Sequence, residues 1–86
     1  MKRFFGMMPS SEVEIIKTFR SDNYGEVTIE AGQHGWTIMF ADYSSEYKDT
    51  DNTPENNFNN AFKRLKEIFT NFDFKEVEEK TLDIIE

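Results

Sequence analysis

Cysteine is missing from this chain, histidine occurs once, and the 86 residues hold only two prolines and four glycines. The missing thiols exclude disulfides, thiolate zinc sites, iron–sulfur clusters and cysteine nucleophiles, so packing alone must hold the fold. A solitary His34 excludes a histidine pair on a metal and any catalysis by two imidazoles. Long apolar runs are lacking too: no stretch approaches the ~20 residues of a membrane span, so no membrane partner is expected. The opening, Met1 to Pro9, is basic at its start like an export signal. Its apolar run ends after about five residues, short of the roughly 7–15 such a signal needs, so a cytoplasmic location is expected.

Basic charge is scarce. Ten Lys and Arg face 17 Asp and Glu, a formal net charge of −7. Residues 1–53 carry five basic and nine acidic groups, residues 54–71 three and two, residues 72–86 two and six. Such a field repels phosphate backbones and anionic lipid, so direct nucleic-acid binding is not expected. It suits solubility or a basic partner. The length of 86 residues fits a single domain with one modest core and a stability of roughly 4–13 kcal/mol.

What the chain does have is one helical stripe. Phe58, Ala61, Phe62, Leu65, Ile68, Phe69 and Phe72 recur every three or four residues, which predicts a helix over about 54–71. Thr53 is its expected N-cap, Pro54 its first residue, and Glu55 a first-turn acid that suits the helix dipole. The stripe needs a surface to cover it, and the alternating segments upstream supply one. Val13, Ile15, Lys17 and Phe19 alternate with polar or exposed positions over about 12–20, and Val27, Ile29 and Ala31 do so over 26–31. A three-residue loop, Asn23-Tyr24-Gly25, puts both apolar sets on one face, with Phe19 opposite Ile29; a four-residue loop would separate them. Gly32 to Gly35 bound a second turn. Trp36 to Ala41 is apolar on both faces apart from Thr37, as in a central strand. Asp42-Tyr43-Ser44-Ser45 reads as a third turn, and Glu46 to Thr50 as a charged edge strand.

The expected fold is therefore α+β: a three- or four-stranded antiparallel meander with one long helix on one face. The whole of 1–86 is one domain, divided into an N-terminal segment (1–11), the sheet (12–50), the helix (54–71) and an acidic tail (72–86). For the tail, strand and helix remain open alternatives, with partial docking and a frayed end expected.

No constellation in this sequence carries chemistry. Asp49, Asp51 and Thr53 start like a calcium loop, but Pro54 stands where its glycine is needed and Asn60 where its bidentate glutamate is needed. Seventeen acids in 86 residues make chance carboxylate pairs certain, and the serines lack a nearby base in sequence. No cofactor, metal or catalytic residue is assigned, and the chain is read as a non-enzyme. Asn56, Asn57, Asn59, Asn60, Lys63, Arg64 and Lys66 form the expected solvent face of the helix, with a Lys63–Glu67 pair. Strands followed by a helix also end a double-stranded RNA-binding domain, but that fold needs a preceding helix and a basic motif at the helix start.

Two surfaces remain. Glu12, Glu14, Glu26 and Glu30 are expected to share the sheet face away from the helix, with Asp42, Glu46 and Asp49 further across, and Ile16, Met39 and Tyr43, with the N-terminal Phe4, Phe5, Met7 and Met8, form an apolar patch beside them. Either a protein partner or a second copy of the chain meets this face, or the N-terminal segment folds over it. The alternative is an acidic mimic of nucleic acid that blocks a DNA- or RNA-binding protein. The segment from Gly35 to Asp49, followed by Thr53-Pro54-Glu55-Asn56-Asn57-Phe58, resembles small acidic uncharacterised proteins of conjugative or phage-like elements in Gram-positive gut bacteria. The resemblance covers about a third of the chain and implies a cytoplasmic accessory protein of a mobile element, where defence inhibitors and small regulators are common. It transfers no functional residue.

Overall fold

A computed structural model of the protein describes residues 12–77. The chain runs through β1 (Ile15–Ser21), β2 (Gly25–Gly32), β3 (Gly35–Met39), β4 (Ser45–Asp49), α1 (Pro54–Ile68) and β5 (Lys75–Glu76). The sheet order is β4-β3-β2-β1-β5 with every pair antiparallel, and α1 lies across one face. This is the expected α+β architecture with a fifth strand added at the β1 edge. The helix leaves one edge of the sheet and returns the chain to the other, so the tail adopts the strand alternative where it can be described. Expectations for residues 1–11 and 78–86, including whether the N-terminal segment covers the far face, lie outside the described residues.

Register sets what each face shows. Lys17, Ile29, Ile38 and Glu46 make one cross-strand row under the helix, and Ile15, Ala31, Trp36 and Lys48 the next. Each row is apolar where it passes beneath α1 and charged at the β4 edge. The buried core is Phe19, Val27, Ile29, Ala31, Trp36 and Ile38 from the sheet, Ala61 and Leu65 from the helix, and Phe74 beyond it. Phenylalanine rings complete it: Phe19 lies 5.3 Å from Phe62, Phe62 5.3 Å from Phe72, Phe72 5.3 Å from Phe74 and Phe69 5.2 Å from Phe74. These spacings suit offset and edge-on ring contacts. Among the described residues every phenylalanine is at least half-buried.

Three local readings change. The β1–β2 hairpin pairs Phe19 with Val27 and Ser21 with Gly25, two residues away from the expected register. The shift is even, so the faces are as expected. Its cause is Ser21, whose buried hydroxyl accepts the backbone N–H groups of Asn23 and Tyr24 and donates to Asp73, closing the turn one residue earlier. The helix stops at Ile68 because Phe69 turns to extended backbone (φ −111°, ψ 96°) while its N–H still bonds Leu65 O. Thr70 and Asn71, poor helix formers, follow, and leaving the helix lets Phe72 and Phe74 return to the core. Glu67 pairs with Arg64 rather than Lys63, and Arg64 also holds Glu46 at 2.8 Å, clipping the helix to the β4 edge.

The helix start matches its sequence signals, with Thr53 Oγ1 accepting the Asn56 N–H at 3.1 Å. Asn57, placed by sequence on the solvent face, is buried instead. It lines up with Ala61 and Leu65 at helical spacing, and its Nδ2 donates to Gly32 O at 2.7 Å and Thr50 O at 3.1 Å.

His34 sits exposed in the β2–β3 turn with Nδ1 3.0 Å from Asp51 Oδ1. Its pKa is raised, first by that hydrogen bond and then by the charges of Glu12, Asp51 and Asp49, with desolvation opposing. A raised folded-state pKa means that the pair's stabilisation is fully present below the ordinary value near 6.5 and is lost as pH rises through the folded value. An NMR titration should therefore give His34 a higher pKa in the wild type than in Asp51→Asn. Equal values would show that the pair does not form in solution.

Candidate partner-binding surface

The far face of the sheet is built by the even-numbered residues of β1 and β2. Ile16, Glu30, Thr37 and Tyr47 form one row across it, and Thr18, Thr28, Met39 and Ser45 the next, tied by a 3.0 Å Thr18–Thr28 hydroxyl contact. Ile16 is 59% exposed. Glu30, by contrast, is 1% exposed, and Thr37 is buried beside it. Tyr47, half-buried in the same row, has its pKa raised mainly by that burial, with Asp49 and Glu12 adding to the effect.

The seven residues singled out from sequence are therefore not one surface. Glu12 is half-buried, and Glu14 is exposed with its N–H bonded to Ala31 O at 2.9 Å. Glu26 is exposed, but Arg20 faces it across the hairpin and engages its carboxylate through Nε and Nη2. Glu30 has no surface to offer, which corrects its place in the expected acidic rim. A residue can point away from a helix and still be covered, because strand alternation fixes direction and not exposure. Met39 is half-buried, whereas Tyr43 stands 94% exposed.

Tyr43 owes that position to its turn. Tyr43 N–H bonds Phe40 O at 2.9 Å, Phe40 N–H bonds Ser44 O at 2.8 Å, and Asp42 Oδ1 accepts the Ser44 N–H at 3.0 Å and its hydroxyl at 2.6 Å. A three-residue loop closed in this way needs left-handed backbone at its last position, where glycine is the usual occupant. Tyr43 takes it, with φ 71°, and is the only non-glycine at positive φ among the described residues.

Beside this turn opens a cleft of ≈ 390 Å³ between the tips of the β1–β2 and β3–β4 hairpins and the C-terminal end of α1. Tyr24, Phe40 and Phe69 give it three rings, with Tyr24 4.4 Å and Phe40 6.2 Å from Phe69. Asp42 is its charged wall residue, and its carboxyl is held below the ordinary range by the Ser44 hydroxyl and then by the Ser44 N–H. Sequence reading missed the cleft. The turn residues were legible, but their meeting with Phe69 joins three elements far apart in the chain and leaves no local signal.

Among the described residues, no group of three or more His, Cys, Asp and Glu is placed to hold a metal ion. No helix among them is long and apolar enough to cross a membrane. No family model, curated protein or solved structure matches the chain.

Proposed function

We propose that this is a small non-enzymatic interaction protein that binds a protein partner through the lip carrying Tyr43. The resemblance noted above adds a setting, a cytoplasmic accessory protein of a mobile element. One observation carries the reading: a tyrosine that is 94% exposed and held in left-handed backbone. That conformation costs a non-glycine residue roughly 1–2 kcal/mol, and an exposed ring returns nothing to the fold. Strained, exposed aromatic side chains at the rim of an apolar cleft have the character of binding anchors, where Tyr, Trp and Arg dominate. The acidic-mimic alternative draws less support, because Glu30 is covered and Glu26 is matched by Arg20.

The test separates stability from binding. Tyr43→Gly removes the strain, and although glycine loosens the unfolded chain, a net gain of about 0.5–1 kcal/mol should remain, raising Tm by roughly 2–8 °C. The same variant should lose the partner captured by the wild-type protein. A stabilised variant that still captures the partner, or loss of capture by Ile16→Asp but not by Tyr43→Gly, would move the binding surface elsewhere.

A further inference from the structure

We infer that the cleft beside Tyr43 receives an arginine side chain presented by a basic protein partner. The inference rests on the interaction reading above and names the chemistry the partner must bring. Three features of the cleft select a planar cation with an apolar stem. Its walls are aromatic, with the Tyr24 and Phe40 rings each set against that of Phe69. Ring faces attract guanidinium groups, and arginine stacks on them where lysine acts as a point charge.

Its one charged wall residue is a carboxylate with capacity to spare. Asp42 spends Oδ1 on the Ser44 N–H and hydroxyl, and none of the ion pairs among the described residues involves it. The cations of the described residues that form ion pairs are engaged elsewhere: Lys17 with Glu76, Arg20 with Glu26, His34 with Asp51, and Arg64 with Glu46 and Glu67.

The third wall is the end of α1 at Ile68 and Phe69. Beyond the Phe69 N–H to Leu65 O bond, no backbone N–H of a described residue satisfies the carbonyls of Lys66, Glu67 or Ile68. A helix C-terminus of this kind carries the negative end of the helix dipole. Lys66, the basic residue of the last turn, is turned away, with its ammonium 5.1 Å from the Phe62 ring centre and 5.7 Å from that of Phe72. The cleft therefore joins a negative potential to ring faces, on a chain whose net charge of −7 draws basic partners toward it.

The probe is N-acetyl-argininamide, titrated into the ¹⁵N-labelled protein at fixed ionic strength, with N-acetyl-norleucinamide and N-acetyl-lysinamide as comparisons. The arginine compound should shift the amides of residues 42–44 and 68–69 with a dissociation constant on the order of millimolar, as a ring contact plus one charge-assisted hydrogen bond allows. Asp42→Asn keeps an oxygen for the Ser44 turn, and should weaken binding about tenfold. The norleucine compound should leave these amides unmoved, and the lysine compound should bind more weakly. Equal response to norleucine, binding by lysine as tight as by arginine, indifference to Asp42→Asn, or shifts confined to other residues would each overturn the inference. Its failure is distinguishable from that of the interaction reading. If the arginine probe fails while Tyr43→Gly still abolishes partner capture, the cleft assignment falls and the lip stands; the converse pair of results removes the lip alone.

Discussion

Replacing Gly35 with alanine should unfold the protein at temperatures where the wild type is intact, with Tm lowered by roughly 10–30 °C. Gly35 opens β3, opposite Asp49 of β4, and its φ is 153°, a conformation that L side chains rarely adopt. A Cβ built there would stand 2.2 Å from Lys48 O and 3.2 Å from Lys48 C. Both are backbone atoms of a paired strand, so no side chain can swing aside to relieve the clash. The chain is pinned on either side of it as well: Thr50 N–H bonds His34 O and Asn52 N–H bonds Gln33 O, both at 3.0 Å. Either β4 separates from β3 or the turn distorts. Backbone strain and overpacking of this kind each cost about 1–3 kcal/mol, a large part of the stability of so small a domain. Gly25→Ala is the internal comparison. Its φ of 88° is also unfavourable, but its Cβ would meet only the Ala41 Cβ, at 2.9 Å, a side-chain atom of a turn rather than the backbone of a paired strand. Thermal unfolding followed by circular dichroism should rank Gly35→Ala well below Gly25→Ala. The reverse order would mean that the β3–β4 approach is looser in solution than the 2.2 Å separation implies.

The glycines themselves were legible as turn markers, and that contrast runs through the whole molecule. Signals confined to a few neighbouring residues translate directly into structure. Thr53-Pro54-Glu55 starts the helix, the alternation of Val27, Ile29 and Ala31 points them into the core, and charged Glu46 and Lys48 lie on an edge strand. Features decided by residues meeting from afar were not legible. The register of the first hairpin depends on Ser21 bonding Asp73, 52 residues away. A strand is one of two alternatives for the tail, and the choice is made by Lys75 and Glu76 pairing with the open edge of β1, which two residues of sequence cannot announce. The cleft has the same character, since its Tyr24, Phe40 and Phe69 belong to three separate segments. Tyr43 falls between these cases. Sequence placed it in a turn, but only the backbone shows that it occupies a position where glycine is the ordinary choice.

Asn57 is the residue whose role sequence obscured most, and its replacement by aspartate should be the most damaging isosteric change in the helix. It stands among four asparagines in the first two turns, three of them exposed, and only its alignment with Ala61 and Leu65 sets it apart. Its two Nδ2 hydrogens satisfy Gly32 O and Thr50 O, so one side chain fastens the β2–β3 turn and the β4–α1 connection to the helix. The amide can be oriented only one way, because reversing it would aim Oδ1 at two carbonyl oxygens. Asn57→Leu removes both donors and leaves those carbonyls without them, at about 1–3 kcal/mol in all because the Thr50 contact is only part-buried. Asn57→Asp is worse at neutral pH, since it sets a buried negative charge against two acceptors; a loss of about 3–5 kcal/mol is expected. The two variants also respond differently to pH. Burial and the two facing carbonyls raise the folded-state pKa of the introduced carboxyl above its unfolded value near 3.9. Its destabilisation therefore grows as pH rises between those values, by up to about 1.4 kcal/mol per pH unit, and shrinks as pH falls and the protonated acid regains one donor. The gap in Tm between Asn57→Asp and wild type should be wider at pH 8 than at pH 5, while that of Asn57→Leu should stay nearly constant. An Asn57→Asp protein as stable as wild type at pH 8 would show that Nδ2 does not tie these two loops together.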